Sequence, residues 1–220
     1  MFRLIDLRKI AVSLAMFAVV GFGSAVAARA DSFYLSAPNA ALSAYPGPYA
    51  QVTVTRIDAT HASITFLALT NGSNVYTLGD GASAALNING TAILDGTVSW
   101  TCSGCTGTAF VSVTGGNVSE FGDMNFQVNM HDGFPSSVTS LSFNIVCATC
   151  SWLTDADVLA ANSDGFMAAG HIFVACDTCE GGALLTGFAG NGAVPEPASM
   201  LLLGTGLLGL AGAARRRFRK

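Results

Sequence analysis

The sequence predicts a mostly β protein, a single antiparallel β-sandwich that is jelly-roll-like in its succession of short strands. Two observations predict this class. Apolar and polar residues alternate with a period of two in several segments, and glycine-containing turn dipeptides separate such segments at short intervals. Many short strands at this spacing are typical of an antiparallel sandwich. The alternating segments are Val52–Val54, Ser63–Ala68, Met124–Met130 and Leu141–Ile145, and the turn signals are Asn71-Gly72, Asp80-Gly81, Asn89-Gly90, Asp95-Gly96, Gly115-Gly116-Asn117 and Asp132-Gly133.

Residues 1–30 have the composition of a secretory signal peptide. A positively charged start is followed by the apolar stretch Ile10–Gly23 and by two small-residue cleavage motifs. We expect cleavage after Ala30, which makes Asp31 the first residue of the exported protein. The positive residues are Arg3, Arg8 and Lys9, and the cleavage motifs are Ala25-Val26-Ala27 and Ala28-Arg29-Ala30.

The body of the chain, residues 31–193, is long enough for one domain with its own core. It contains twelve acidic residues and one basic residue, Arg56, so its formal charge is −11 although the whole chain carries −4. This charge excludes nucleic acid and anionic lipid headgroups as ligands of the body. It is compatible with a solubilising surface or, as an alternative, with calcium binding.

Three further parts of the body have weaker signals. Pro38–Pro48 is predicted to be a loose leader, and Gly181–Gly192 a glycine-rich approach to the tail. Thr154 and Asp157 have the spacing of a helix start, which predicts one helical segment that ends near Asn162.

Six cysteines form three C-x-x-C pairs, whose spacing alone permits disulfides, zinc or redox chemistry. Export favours disulfides, and a turn brings residues i and i+3 close enough to be bridged. We predict three local disulfides that hold strand ends; two pairs with His171 as a zinc site is the alternative. Each first cysteine is expected to continue the apolar face of the preceding strand. The pairs are Cys102/Cys105, Cys147/Cys150 and Cys176/Cys179, and the apolar positions before them are Val98 and Trp100, Leu141, Phe143 and Ile145, and Ile172 and Val174.

No residue set predicts catalysis. His61, His131 and His171 are interpreted as packed or surface residues, and no serine-hydrolase, zinc-protease or phosphate-loop motif is present. Asp155 and Asp157 lack the spacing of a calcium loop and are interpreted as acids at a helix start. We expect no enzyme activity and no cofactor other than a possible calcium ion, and no resident metal site.

The tail, Val194–Lys220, has three parts in a fixed order. Pro195-Glu196-Pro197 is a short extended box, because both prolines disfavour helix. Ala198–Ala214 is an uncharged, mostly apolar run of 17 residues, about 25 Å as a helix, which predicts one transmembrane helix. A basic end follows and should stay cytoplasmic. Its basic residues are Arg215, Arg216, Arg217, Arg219 and Lys220.

This box, span and basic end resemble the PEP-CTERM protein-sorting signal of exopolysaccharide-producing bacteria. The resemblance implies that Pro195-Glu196-Pro197 is recognised by an exosortase-type membrane transpeptidase. It also implies a chain held in the cell envelope by its C-terminal helix, and then display at the cell surface or in the extracellular matrix, with exopolysaccharide as a possible partner.

Much of the body resembles one group of PEP-CTERM ectodomains that has no established activity. We therefore expect a non-enzymatic exported protein. The alternatives are a calcium-dependent carbohydrate-binding module of the exopolysaccharide and an extracellular hydrolase. The segments that carry the resemblance are Thr60–Phe66, Tyr76–Gly81, Ala85–Gly90, Phe121–Asn125, Asp132–Phe134, Gly170–Val174 and Thr186–Asn191.

Overall fold

This computed structural model describes residues 31–102, 112–130, 133–176, 178–179 and 182–192. These residues include twelve strands and three short 3-10 helices. The strands are β1 (Asp31–Pro38), β2 (Ala50–Arg56), β3 (His61–Ala68), β4 (Thr70–Asn71), β5 (Asn74–Leu78), β6 (Ala84–Leu86), β7 (Ile93–Thr101), β8 (Ser112–Val118), β9 (Gly122–Asn129), β10 (Ser140–Val146), β11 (Ala168–Ala175) and β12 (Ala183–Asn191). The 3-10 helices are Ala40–Leu42, Phe134–Ser136 and Asp155–Asp157.

Ten strands follow one antiparallel, hydrogen-bonded path in the order β7-β10-β3-β2-β1-β12-β11-β6-β9-β8. Beside this path, β5 pairs with β11 and with the short β4. The sheet curls until it is nearly closed: Phe126 of β9 stacks on Phe143 of β10 across the interior, with ring centroids 5.6 Å apart. The mostly β, antiparallel class is confirmed, and the strands form one nearly closed sheet. The jelly-roll-like sandwich arrangement stays a prediction.

The interior is filled by alternate residues of the strands, as the period of two requires. Three of the alternating segments lie wholly in strands, β2, β3 and β10, and the fourth lies in β9 except for Met130. The largest buried side chains are Trp152, Tyr49, Tyr76 and Phe66. A second, smaller apolar cluster includes Phe121 and Met124. Met124 of this cluster lies beside the point where the register between β9 and β8 shifts.

Two predicted turns are wrong, because the glycines lie inside strands. Asp95-Gly96 belongs to β7, beside a shift in the register between β7 and β10, and Gly96 has φ +84°. Gly115-Gly116-Asn117 belongs to β8, at its register shift with β9. At both sites the hydrogen-bonded pairing of two strands is irregular. Such irregularities often contain glycine, as turns do. Asp132 of the turn signal Asp132-Gly133 lies outside the described residues.

The predicted loose segments are mostly ordered. Gly181–Gly192 includes β12, a central strand between β1 and β11. Pro38–Pro48 contains a 3-10 helix, and Leu42 within it is fully buried. The predicted helix that ends at Asn162 is only the turn Asp155–Asp157. The chain leaves helical geometry there because Leu159 forms a bridge with Ile88 instead.

The two ends of the described domain lie on neighbouring strands. β1 and β12 are antiparallel, and Leu35 pairs with Asn191. The start of the domain, Asp31, is four residues from Leu35, about 13 Å along the strand. The chain therefore enters and leaves the domain at the same end of these two strands.

Residues 1–30 and 193–220 lie outside the described residues, and with them the predicted signal peptide, the Pro-Glu-Pro box, the span Ala198–Ala214 and the basic end. Within the described part, no helix has the length and apolar character needed to cross a membrane.

Candidate functional site

The junction with the tail is the first candidate site, and it rests on one side chain. Asn191 ends β12 and is only 1 % exposed. Its Oδ1 accepts hydrogen bonds from the backbone N–H groups of Met167 and Ala168 at 2.8 and 2.9 Å. Met167 and Ala168 lie where β11 begins. The two hydrogen bonds therefore fix the end of β12 to the start of the neighbouring strand, β11.

The second candidate site is a groove of about 440 Å³ beside a disulfide at the far end of β10. Cys147 and Cys150 are bonded, with Cα atoms 5.3 Å apart. Gly90 lies against the two sulfurs, with φ +128°, and a Cβ there would lie 2.3 Å from Cys150 Sγ. The groove lining consists of Asn89, Gly90, Thr149, Cys150, Ser151, Trp152, Leu153 and Asp157.

Hydrogen bonds fix the walls of this groove. The Trp152 indole is buried and donates from Nε1 to the carbonyl of Asn89 at 3.0 Å. Arg56, the one cation of the body, donates from Nε to the carbonyl of Trp152 at 2.7 Å. This bond holds one nitrogen of the guanidinium at the backbone, and the groove lining includes polar side chains and the Asp157 carboxylate.

Asp157 closes the groove as the partner of Thr154. Its Oδ2 accepts from the Thr154 hydroxyl at 2.9 Å and from the Thr154 backbone N–H at 2.7 Å. These bonds lower the pKa of the Asp157 carboxyl, the hydroxyl contributing most. The capping pattern predicted from Thr154 and Asp157 is present, although it caps a single 3-10 turn.

The second described disulfide joins Cys176 and Cys179 beyond the end of β11, with Cα atoms 5.4 Å apart. Two of the three predicted local disulfides are thus confirmed. Cys102 is disulfide-bonded as well, whereas Cys105 lies outside the described residues. The zinc alternative is wrong for Cys147, Cys150, Cys176 and Cys179, because their sulfurs are bonded to each other. Among the described residues, no three potential His, Cys, Asp or Glu ligands come together.

The apolar positions before the cysteines are buried in β10 and β11 as predicted. On β7 the prediction fails for Trp100, which is 41 % exposed while Val98 is buried. β7 is the last strand of the path, and no strand among the described residues pairs with its outer edge.

His171 is packed on the sheet between two aromatic rings. Phe173 and Phe188 stack against it, with centroids 5.3 and 4.3 Å away. Nδ1 lies 3.2 Å from the carbonyl of Gly81, and Nε2 lies 2.6 Å from Thr186 Oγ1. Burial lowers the pKa of His171, although Asp80 lies 4.0 Å away and opposes the shift. A neutral imidazole with both nitrogens hydrogen-bonded fits this site as a packing residue.

His61 is the first residue of β3 and contacts the turn that joins β2 to β3. Asp58 accepts from the backbone N–H of Thr60 at 2.7 Å and contacts His61 Nδ1 at 2.9 Å. The bond from Thr60 contributes most to holding the pKa of Asp58 below its usual range, followed by the one from His61. His131 lies outside the described residues.

Three asparagines bind backbone groups through their side chains, a role that the sequence did not predict for them. Asn125 pairs through its side chain with both backbone groups of Ile88, and Asn162 binds the carbonyl of Phe121. Asn191 is the third. In each case the side chain supplies hydrogen-bond partners to backbone groups. The one sequence signal for such an asparagine is its position at the edge of an apolar run. Asparagines in ordinary turns have the same position, so the signal does not distinguish the two.

The fold and the tail sequence together define the class of this protein. It has an all-β domain whose last described strand, β12, lies in the middle of the sheet, and a separate sequence motif follows that strand directly. The family model of the PEP-CTERM protein-sorting motif matches that module, residues 193–217. The chain is therefore a PEP-CTERM-containing exported protein. The motif implies processing by an exosortase, a membrane enzyme, and a membrane-anchored sorting signal at the C-terminus.

No curated protein and no solved structure matches the chain. The resemblance of the body to a group of PEP-CTERM ectodomains stays a prediction, as does cleavage after Ala30.

Removing the two described disulfides is expected to have unequal effects. Each joins cysteines three residues apart, so constraining the unfolded chain contributes about 2 kcal/mol in both cases. Cys147 is fully buried in the core, whereas Cys176 is half-buried. Cys147→Ala with Cys150→Ala should therefore lower the free energy of unfolding by about 1–2 kcal/mol more than Cys176→Ala with Cys179→Ala.

Urea denaturation of both double variants measures this difference. Equal losses would show that burial of Cys147 adds nothing to the crosslink. Thiol titration of the oxidised parent chain checks the bonds themselves, and free thiols at these four positions would contradict them.

Proposed function

We propose that this protein is a non-enzymatic exported protein of the cell surface or extracellular matrix. An exosortase-type transpeptidase recognises Pro195-Glu196-Pro197 while Ala198–Ala214 spans the membrane. The basic end, residues 215–220, stays on the cytoplasmic side. Processing near the box then delivers the folded domain to the surface, where exopolysaccharide is its surrounding partner.

The observation that carries this proposal is the direct succession of domain and signal. β12 ends at Asn191, and the sorting motif begins at residue 193. β12 is hydrogen-bonded to β1 on one side and β11 on the other. A new covalent bond made near the box would therefore join the middle of the sheet, which suits a domain that is to be attached or displayed.

The contacts of the histidines support the non-enzymatic part of the proposal. His171 is stacked between aromatic rings and bonded at both nitrogens, and His61 completes a turn with Asp58. Both have structural roles that account for their positions. The carbohydrate-binding and hydrolase alternatives have no comparable observation in their favour, so we propose display alone.

Replacing Pro195, Glu196 and Pro197 together with alanine is expected to abolish processing while export and folding continue. The described core is built by residues within 31–192, so the domain should keep its contacts, but the recognition element is gone. In the native host, the membrane-held chain with its tail should accumulate, as measured by intact mass and immunoblotting of membrane fractions.

The matched control is Ser199→Ala with Thr205→Ala, which changes the span and leaves the box intact. It should be processed like the parent. Unchanged processing of the box variant would show that Pro195-Glu196-Pro197 is a passive linker, and the proposal would then fail.

A further inference from the structure

The three most exposed large apolar side chains among the described residues lie at one end of the sheet. Leu153 is 78 % exposed, Ile93 65 % and Ile57 56 %. We call these three residues the tip patch. Exposed apolar residues that occur singly need no explanation, but a group at one end of a domain marks a contact surface.

Hydrogen bonds and strand pairing place the three residues around the Cys147–Cys150 disulfide. Ile57 is in the turn between β2 and β3, and its N–H donates to the carbonyl of His61. Leu153 follows Trp152, whose N–H donates to Ala59 in that same turn. Ile93 begins β7 and pairs with Val146, the residue before Cys147.

This end of the sheet points in the direction in which the chain leaves the domain. Along the strands, Asn191 is level with Leu35, and Leu35 is level with Ala50 of β2. Ile57 lies seven residues beyond Ala50. At about 3.3 Å per residue, the tip patch therefore extends about 23 Å past the level of Asn191.

The segment that connects Asn191 to the predicted span is no longer than this overhang. Ala198 is seven residues beyond Asn191. Even a fully extended chain of seven residues, at about 3.3 Å per residue, reaches only about 23 Å. When the strands stand upright on the membrane, the tip patch must reach the bilayer surface.

The charges at this end restrict the kind of membrane surface it fits. Asp58, Asp155 and Asp157 surround the patch, and each accepts a backbone hydrogen bond. The only nearby cation, Arg56, is held by the carbonyl of Trp152. Apolar contact is therefore favoured with a zwitterionic surface and opposed by anionic headgroups.

We propose that the tip patch rests on the outer surface of the bilayer that holds Ala198–Ala214. The inference rests on the proposed membrane anchoring of the tail. In this position the Pro195-Glu196-Pro197 box is held beside the membrane surface, where a membrane enzyme can reach it. The groove beside the disulfide then faces the lipid headgroups, and the opposite end of the sheet, with Leu184, faces outward.

The test uses the full chain reconstituted into vesicles of phosphatidylcholine with dibrominated acyl chains, which quench nearby indoles. Leu153→Trp places a reporter in the tip patch. Leu184→Trp is the matched control, since Leu184 is 53 % exposed at the opposite end of β12. Flotation first establishes that each variant is anchored, and urea denaturation that each is folded.

We expect the added tryptophan at position 153 to be quenched about twofold or more relative to the one at position 184, because interfacial indoles lie at headgroup level. Ile57→Ser with Ile93→Ser should remove most of this excess, and replacing half of the lipid by phosphatidylglycerol should reduce it.

Equal quenching at positions 153 and 184 in floated vesicles would overturn the docking inference and leave the anchor in place. An excess that survives both serine substitutions would also overturn it, because apolar contact would not be its cause. A full chain that does not float with the vesicles would overturn the anchoring part of the proposed function, and the docking inference with it.

Discussion

Asn191→Leu is expected to lower the free energy of unfolding by about 2–5 kcal/mol. The leucine has a similar volume but no acceptor, so the N–H groups of Met167 and Ala168 lose their partner. Leaving one buried donor unpaired costs about 1–3 kcal/mol, and Ala168 is fully buried. The loss should be visible as a lower urea midpoint with an unchanged slope.

Asn191→Asp is the matched variant, because its carboxylate keeps an acceptor in front of both N–H groups. It should retain more stability than the leucine variant, even though the site is almost closed to solvent. If both variants lose the same amount, the side-chain acceptor is not what fixes this junction. If neither loses stability, the end of β12 is not part of the cooperative fold.

The strands that could be predicted from the sequence are those whose period of two reflects burial on one face. Val52 and Val54 of β2 point into the core, and so do Leu141, Phe143 and Ile145 of β10. In such strands the local pattern and the tertiary environment agree.

β12 could not be predicted in this way, because its glycines are required by neighbours that are distant in sequence. A Cβ on Gly190 would lie 2.4 Å from the ring of Phe121, which packs over the strand there. Glycine inside a strand then marks a close approach, but in the sequence it looks like a loop. Nothing local distinguishes the two cases.

The candidate sites differ in the same way: one is defined by a continuous sequence pattern, and the other by residues that are distant in the sequence. The sorting signal was predicted because its order of box, span and basic end is continuous in the sequence, and a family model matches it. The groove was not predicted, because Asn89, Cys150 and Leu153 meet only when the loops after β6 and β10 come together. Their spacing in the sequence does not indicate that they come together.

Gly90→Ala is expected to cost about 2–5 kcal/mol, for two separable reasons. Gly90 has φ +128°, a conformation that costs an alanine about 1–2 kcal/mol or more. In addition, the new methyl group would lie 2.3 Å from Cys150 Sγ and 3.1 Å from Cys147 Sγ. Overpacking of this kind adds about 1–3 kcal/mol, because a disulfide cannot rotate away as a flexible side chain would.

Gly165→Ala separates the two contributions, since Gly165 has φ +88° but no atom within 4 Å of its Cβ position. It should show the backbone cost alone, and the difference in urea-derived free energies between the two variants is then the cost of the collision. The same Gly90→Ala change in a chain with Cys147→Ala and Cys150→Ala should cost little more than Gly165→Ala, because both sulfurs are gone. A Gly90→Ala cost that stays the same without the sulfurs would show that the disulfide does not press on Gly90. The close packing of the groove wall, and with it the position of the tip patch beside the disulfide, would then have to be reconsidered.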